Sequence, residues 1–271
     1  AWETLAPARP ARAPLRERWT ANLGLLALNH GILPFLLPIS NGAAAWFASE
    51  RGWGFMNVVA LPPAAAFALT LVALDAVRYG NHRLWHRVPV LWRLHRVHHS
   101  DVDYDLTVGL RFHPIEAVAG NLAVLAAVVA LGAPVWAVIA SDVATVALGY
   151  FAHGNVRVPG AVDRALRAVL VTPAMHSTHH SVERDEAMSN FGSVLSVWDR
   201  LFGSYRERPR AGDAIDFGLG QMRPVIDLQD RMRQEAGKTK RPFAAPEVDA
   251  VLAAKVSEAA PTYSQRRPRF R

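Results

Sequence analysis

The sequence predicts an all-α integral membrane protein, with about four transmembrane helices capped by a cytoplasmic helical region that carries clustered histidines. Three observations predict it. Of the 271 residues, 51% are hydrophobic, and they gather in blocks before residue 153. Basic residues, nearly all Arg, flank those blocks. Eight of the 11 histidines fall in three short runs placed beyond the second and fourth blocks.

A bilayer crossing needs about 20 apolar residues. The first candidate runs near Asn22–Ser40 and contains Pro34 and Pro38. The second runs near Met56–Val77, with Pro62 and Pro63 close to its start. The third covers about Ile115–Leu131 and the fourth Pro134 to about Ala152. Only Gly132 and Ala133 join the last two, which predicts a tight helical hairpin. The stretch between the first two reads as a short external connection, holding Arg51 beside Glu50.

Charge sets the expected orientation. Arg9, Arg12, Arg16 and Arg18 precede the first block. Arg78, Arg83, Arg87, Arg93 and Arg96 follow the second, and Arg157, Arg164 and Arg167 follow the fourth. The positive-inside rule then puts both termini and the central loop in the cytoplasm, in a bacterial inner membrane. The expected organisation is a cytoplasmic segment over 1–21, an embedded domain over 22–205 and a polar tail over 206–271. The tail is expected to be weakly ordered apart from an amphipathic helix near Val225–Glu235.

The net charge of +7 does not argue for nucleic acid, because the basic residues track the apolar blocks. The absence of Cys excludes disulfides, iron–sulfur clusters and thiolate metal sites. Residues 1–20 show no apolar core, so no cleavable signal peptide is expected there.

The histidine runs are His82-Arg-Leu-Trp-His86, His95-Arg-Val-His98-His99 and His176-Ser-Thr-His179-His180. Positions i, i+3 and i+4 share one face of a helix, so each run aims its imidazoles one way. Pro89 is expected to end the first helix and open the second. Thr172 before Pro173 reads as an N-cap with Pro at the first helical position.

Chemistry narrows the use of such a set. One zinc ion takes three or four ligands and a haem one or two, so eight converging imidazoles suit two metal ions better. Soluble di-iron bundles use Glu-x-x-His pairs, which this chain lacks. Imidazole binds Fe, Zn, Cu and Ni, so the ligand type does not select iron. A pH sensor is the main non-metal alternative. His153, in His-Gly-Asn, and His113, in Arg-Phe-His-Pro-Ile-Glu, stand at the same expected height as candidate ligands or supports. His30 has no companion and reads as a bundle or interface contact rather than a ligand.

The runs HRLWH, LWRLHRVHHSDVDYDLTVGLRFHPIE, HGN, TPAMHSTHHS and NFGSVLSVWDRLFGSY resemble the fatty acid hydroxylase superfamily, also called the sterol desaturase family, over about residues 75–206. The second run is most similar to its bacterial and alkylglycerol-monooxygenase-like branches. The resemblance implies a membrane-bound di-iron enzyme that uses O2 to hydroxylate a lipid C–H bond. It implies the ligands His82, His86, His95, His98, His99, His176, His179 and His180, with His153 as an additional one. It further implies a lipid substrate in the bilayer. With no cytochrome b5-like domain at the N-terminus, electrons are expected from a separate redox partner or a diffusible reductant. Desaturation at the same site is the nearest alternative.

Several polar residues admit two readings. Asp75 and Asp142 lie in apolar blocks, where carboxylates are costly and often functional. Asp75 could orient a ligand through an intermediate group or hydrogen-bond a neighbouring helix. Asp101, Asp103 and Asp105 read as a polar loop rather than as supports of the metal ligands. Asn190 could bind a metal-bound water or hold the third histidine helix. Trp198, Asp199 and Arg200 read as an interfacial anchor with a local ion pair. From a different class, a metal transporter or sensor would need a polar track across the membrane, and Asp75, Asp142 and His30 do not form an obvious one. A di-haem cytochrome would place paired histidines mid-span.

Overall fold

The computed structural model describes residues 2–210 together with Phe217, Leu228, Arg231, Met232, Gln234 and Glu235. The chain divides into two units, Ala1–Ile226 and Asp227–Arg271. In the second, the described residues are all helical, and the remainder of the expected Val225–Glu235 helix and tail lies outside the described residues.

The first unit is helical. Helix α1 (Trp2–Leu5) leads to α2 (Leu15–Leu36), α3 (Asn41–Glu50) and α4 (Phe55–Val58). Two longer and shorter partners follow, α5 (Pro63–Arg87) and α6 (Pro89–His95). Two 3-10 turns, His98–Ser100 and Leu106–Leu110, lead into α7 (Pro114–Leu131) and α8 (Val135–His153). The chain then makes α9 (Gly160–Leu166), α10 (Pro173–His179), α11 (Arg184–Ala187) and α12 (Val197–Leu201).

Among the described residues, three stretches are long and apolar enough to cross a membrane: Leu15–Val58, Pro114–Leu131 and Val135–His153. Helix α5 has the length, but its second half carries Asp75, Arg78, His82, Arg83 and His86. Their polarity, rather than any break in the helix, sets it apart from the other three.

The segment expected as a short connection contains a helix, α3, one face of which is buried. Pro38 follows the end of α2, and the chain resumes at Asn41, where Ser40 Oγ accepts from Ala43 N. Ala44, Ala45 and Ala48 of α3 are buried, and Ala45 sits in a core with Leu74, Val124, Val128, Ala133 and Val138. The run Ala43-Ala44-Ala45 has no bulky side chain, so the helix can approach α7 and α8 closely.

Local chemistry sets the helix ends. Proline occupies the first turn of α5, α6, α7 and α10, where its missing N–H costs nothing. Gly132 ends α7 with φ 60°. A side chain there would collide with the Trp53 carbonyl, and one at Gly54 would strike Gly132 N, 2.1 Å from the new Cβ. The hairpin between α7 and α8 therefore requires glycine on both sides of this contact.

Asp142 is paired rather than isolated. Arg78 Nη2 donates to its Oδ1 at 2.5 Å and Arg78 Nη1 to Ser141 Oγ at 2.9 Å, while Asn41 Nδ2 lies 3.2 Å from Oδ2. These bonds tie α3, α5 and α8 together. His30 is exposed on α2, its Nδ1 3.0 Å from Leu26 O, so of the two contacts expected it does not make the one inside the bundle.

Candidate metal centre

Three elements carry the histidine runs to one place. His82 and His86 lie one turn apart at the end of α5. His95 closes α6, and His98 and His99 lie in the 3-10 turn after it, not on one continuous α-helix as expected. His176 and His179 lie on α10, with His180 as its C-cap. As expected, Thr172 caps α10 through its side chain, and α6 starts at Pro89. His153 ends α8 and enters from the side.

The imidazoles form two adjacent groups. One comprises His82, His86, His95, His99 and His179, the other His98, His153, His176 and His180. Within each group, one ring nitrogen per residue lies within 4.8 Å of the others. The groups meet where His99 stacks on His180, with ring centroids 4.2 Å apart. All but His82, which is half-buried, are buried.

Hydrogen bonds settle which nitrogen carries the proton. A carbonyl or carboxylate only accepts, so the ring nitrogen facing one must donate. His82 Nδ1 donates to Phe191 O at 2.8 Å, His179 Nδ1 to Ser189 O at 2.7 Å and His153 Nδ1 to Gly149 O at 2.8 Å. His95 Nδ1 donates to Glu116 Oε1 at 2.5 Å. Each of these rings then presents an Nε2 lone pair to the centre, the arrangement expected of supported metal ligands.

The centre fits two metal ions. Nε2 of His82, His86, His95, His179 and His180 is buried with no hydrogen-bond partner. His153 Nε2 lies 3.1 Å from His176 Nε2 and 3.3 Å from His98 Nε2. Ligand nitrogens about 2.0–2.1 Å from one ion in a tetrahedral shell stand about 3.3 Å apart, so this spacing suits a shared cation. Burial, reinforced by neighbouring imidazoles, pushes His98, His99, His176 and His180 well below the ordinary value of 6.5. Burial takes His179 down to about 3. The rings are therefore neutral at pH 7, as ligation requires.

The expected supporting residues are distributed differently. Asn190 adopts φ 52° and is fully buried. Its Nδ2 donates to Met175 O and Arg206 O, each at 2.9 Å, and its Oδ1 accepts from Arg206 N, so it holds the third histidine helix. Asp75 accepts from Val194 N, Leu195 N and Trp198 Nε1, fastening the loop after that helix and, through Trp198, hydrogen-bonding the neighbouring helix α12. Asp199 makes no ion pair with Arg200. It accepts from Phe191 N and Gly192 N, while Arg200 donates to Arg167 O. His113 lies outside both groups and caps α7, accepting from Ile115 N at 3.1 Å.

Asp101, Asp103 and Asp105 form no solvated loop. All three are buried beneath the N-terminal segment. Arg18 Nε donates to Asp101 at 2.6 Å and its Nη1 to Asp105 at 2.7 Å, and Asp103 accepts from Arg12 N and Ala13 N. Between them, Tyr104 donates to Ala152 O, stacks on His153 with centroids 5.9 Å apart and lies tilted against His180 at 5.2 Å. Its ring also borders a cavity of about 240 Å3 lined by Glu3, Arg9, Trp19 and Asn155. Glu116 escaped pattern reading, although a carboxylate three residues beyond His113 at the mouth of an apolar span was a visible signal.

The profile of the fatty acid hydroxylase family matches residues 67–204, just over half of the chain and every histidine of both groups. The chain belongs to the fatty acid hydroxylase family. The resemblance drawn from the histidine motifs is thereby borne out. The chain is 31% identical over 159 residues to the ornithine lipid hydroxylase of Rhizobium tropici, covering 58% of this chain and 46% of that one. It is 26% identical over 188 residues to the alkylglycerol monooxygenase of Xenopus tropicalis, covering 68% of this chain and 41% of that one. The human alkylglycerol monooxygenase is 26% identical over 150 residues, covering 55% and 32%. The chain thus spans less than half the length of these curated relatives. No solved structure matches it.

Proposed function

We propose that the protein is a membrane-bound non-haem di-iron oxygenase that hydroxylates a lipid C–H bond with O2 and external electrons. The observation that carries this reading is the pair of adjacent imidazole groups in a chain of the fatty acid hydroxylase family. Two irons held there would supply the O2-dependent oxidation of an unactivated C–H bond. In this reading His82, His86, His95, His99 and His179 hold one ion, and His98, His153, His176 and His180 hold the other.

The chain's own residues do the rest. Phe191 O, Ser189 O, Gly149 O and Glu116 keep four ligand rings in one tautomer and orientation. Phe112 stacks on His98 with centroids 4.6 Å apart, and Phe191 and Trp92 lie against His86. These rings exclude water, which protects a strong oxidant from side reactions.

Four crossings are proposed: α2 continued by α3, then α5, α7 and α8. Their orientation leaves both termini and the histidine region on the cytoplasmic face of a bacterial inner membrane, following the Arg distribution. The lipid substrate then lies in the leaflet beside the site, and a separate redox partner delivers electrons from the cytoplasm. The relatives named for ornithine lipid and alkylglycerol oxidation support a polar-headed lipid.

The test couples metal analysis to lipid analysis. Purified protein from iron-replete cells should carry two irons per chain and no haem absorption. Lipidomes of cells with and without the protein should differ by a species heavier by one oxygen. A species lighter by two hydrogens would indicate desaturation instead. Iron-free, zinc-loaded protein with unchanged lipids would overturn the reading.

A further inference from the structure

We propose that the loop after the third histidine run, with α12 and the strand-like segment Val169–Val171, is seated in the lipid leaflet rather than in the aqueous cap. The inference rests on the membrane placement proposed above and assigns a partner to one surface, the bilayer itself.

Position is the first argument. Asp75 precedes His82 by seven residues on α5, about 10 Å along the helix towards the bundle. Its carboxylate holds Val194 N at 3.1 Å, Leu195 N at 3.0 Å and Trp198 Nε1 at 2.8 Å. The loop is thus pinned to the flank of α5 on the bundle side of the histidines. Val169–Val171 comes with it, through Val171 N donating to Val194 O and Ser196 N to Val169 O, both at 2.9 Å.

Backbone satisfaction is the second. Hydrocarbon offers no hydrogen-bond partner, so irregular chain tolerates it only if its own groups are met inside the protein. Here they are met. Phe191 N and Gly192 N donate to Asp199, Val194 N and Leu195 N to Asp75, and Ser196 N to Val169 O. Ser196 Oγ donates to Arg167 O.

The outward face is the third. Leu201 is 66% exposed and Val169 58%, and Val197 and Phe202 are exposed beside them. The apolar face continues on α5, where exposed Val72 stands one turn before Asp75. At the other edge the guanidinium of Arg83 lies 5.7 Å from the Phe202 ring, and that of Arg200 lies 3.8 Å from the Tyr205 ring. Long cations over aromatic rings at the rim of an apolar face suit lipid phosphates above and acyl chains below.

The chain has no native Cys, so single cysteines report one place each. Leu201→Cys, Val169→Cys, Val72→Cys and Arg184→Cys would be labelled with a nitroxide in the full-length protein, reconstituted in vesicles of phosphatidylethanolamine and phosphatidylglycerol. Accessibility to O2 is compared with accessibility to a water-soluble nickel chelate. Labels at 201 and 169 should match the label at 72, with an O2-to-nickel ratio several-fold above that at exposed Arg184 on α11. Ratios at 201 and 169 equal to that at 184 would overturn the proposal. So would labels sheltered from both reagents, which would mean that protein covers the face. A water-exposed label at 72 would overturn the membrane placement itself and this inference with it. None of these readouts depends on metal or turnover, so the outcome is separable from the oxygenase reading.

Discussion

Glu116 Oε1 accepts the Nδ1 proton of His95 at 2.5 Å, and both side chains are buried. The carboxylate comes from the first turn of α7, whereas the histidine closes α6, so the bond locks one imidazole of the five-membered group to a long apolar helix. Loss of such a support lowers metal affinity roughly 10–100-fold. Glu116→Ala should therefore lose metal from the five-membered group, with a smaller loss in Glu116→Gln, whose amide oxygen can still accept. Metal content and chelator competition on the purified variants check this. Wild-type affinity in Glu116→Ala would show that the bond does not support a ligand.

Asn190 supplies a second support, through the backbone. Its left-handed conformation turns the chain so that the carbonyls on either side, Ser189 O and Phe191 O, receive the Nδ1 protons of His179 and His82. Asn tolerates that conformation better than most residues with a side chain. Asn190→Ala would add backbone strain and leave Met175 O and Arg206 N without their partner. A destabilisation of about 2–4 kcal/mol is expected from those losses. Asn190→Gly keeps the turn and loses only the side-chain bonds, so it should fall between wild type and Ala. Denaturation midpoints in detergent give the ranking, and Gly no better than Ala would refute the backbone argument.

How far such features were legible depends on distance along the chain. The histidine runs were visible because each is local, and Thr172-Pro173 and Val88-Pro89 mark helix starts that need no tertiary information. The hairpin at Gly132 was legible for the same reason. Partners that meet from afar were not. Asp101 and Arg18 are 83 residues apart, and nothing local distinguishes their burial from a solvated acidic loop. Asp75 was recognised as costly, but its partners lie 119 to 123 residues later. Helix α3 was missed because its buried face is made of three alanines, which carry little hydrophobic signal.

Protons should oppose the folded metal-free protein. His98, His99, His176, His179 and His180 are all held below 6.5 by burial, with His179 at about 3. Below pH 6.5 the unfolded chain takes up protons at these residues that the folded chain refuses. The unfolded state then binds more protons, so stability rises with pH in this window and falls as pH drops. Each histidine contributes up to about 1.4 kcal/mol per pH unit. The melting temperature of chelator-treated protein should decline steeply between pH 7 and 5, followed by intrinsic tryptophan fluorescence. Metal-loaded protein should hold its melting temperature to lower pH, because bound metal competes with the protons. A metal-free melting temperature flat across that window would mean that the rings are solvated rather than buried.

Arg18 is the fastening of the N-terminal segment over the second histidine group. It bonds Asp101 and Asp105 while Glu3 Oε2 accepts from Leu106 N and Asn155 N. Both flanking aspartates belong to the same five residues as Tyr104, which packs beside His153 and His180. Arg18→Ala leaves two buried carboxylates without their cation, a loss on the order of 3–5 kcal/mol where a buried pair is broken from one side. If the charge imbalance is the cause, Asp101→Asn added to Arg18→Ala should recover part of that loss, since one uncompensated carboxylate disappears. If the Arg stem is what matters, the double variant should be no more stable than Arg18→Ala. Denaturation midpoints of the two variants decide between charge and packing. Extraction of metal by a chelator shows in parallel whether the segment shields the site: Arg18→Ala should lose metal several-fold faster than wild type, and an unchanged extraction rate would mean that the four-membered group is sealed by Tyr104 and α8 without it.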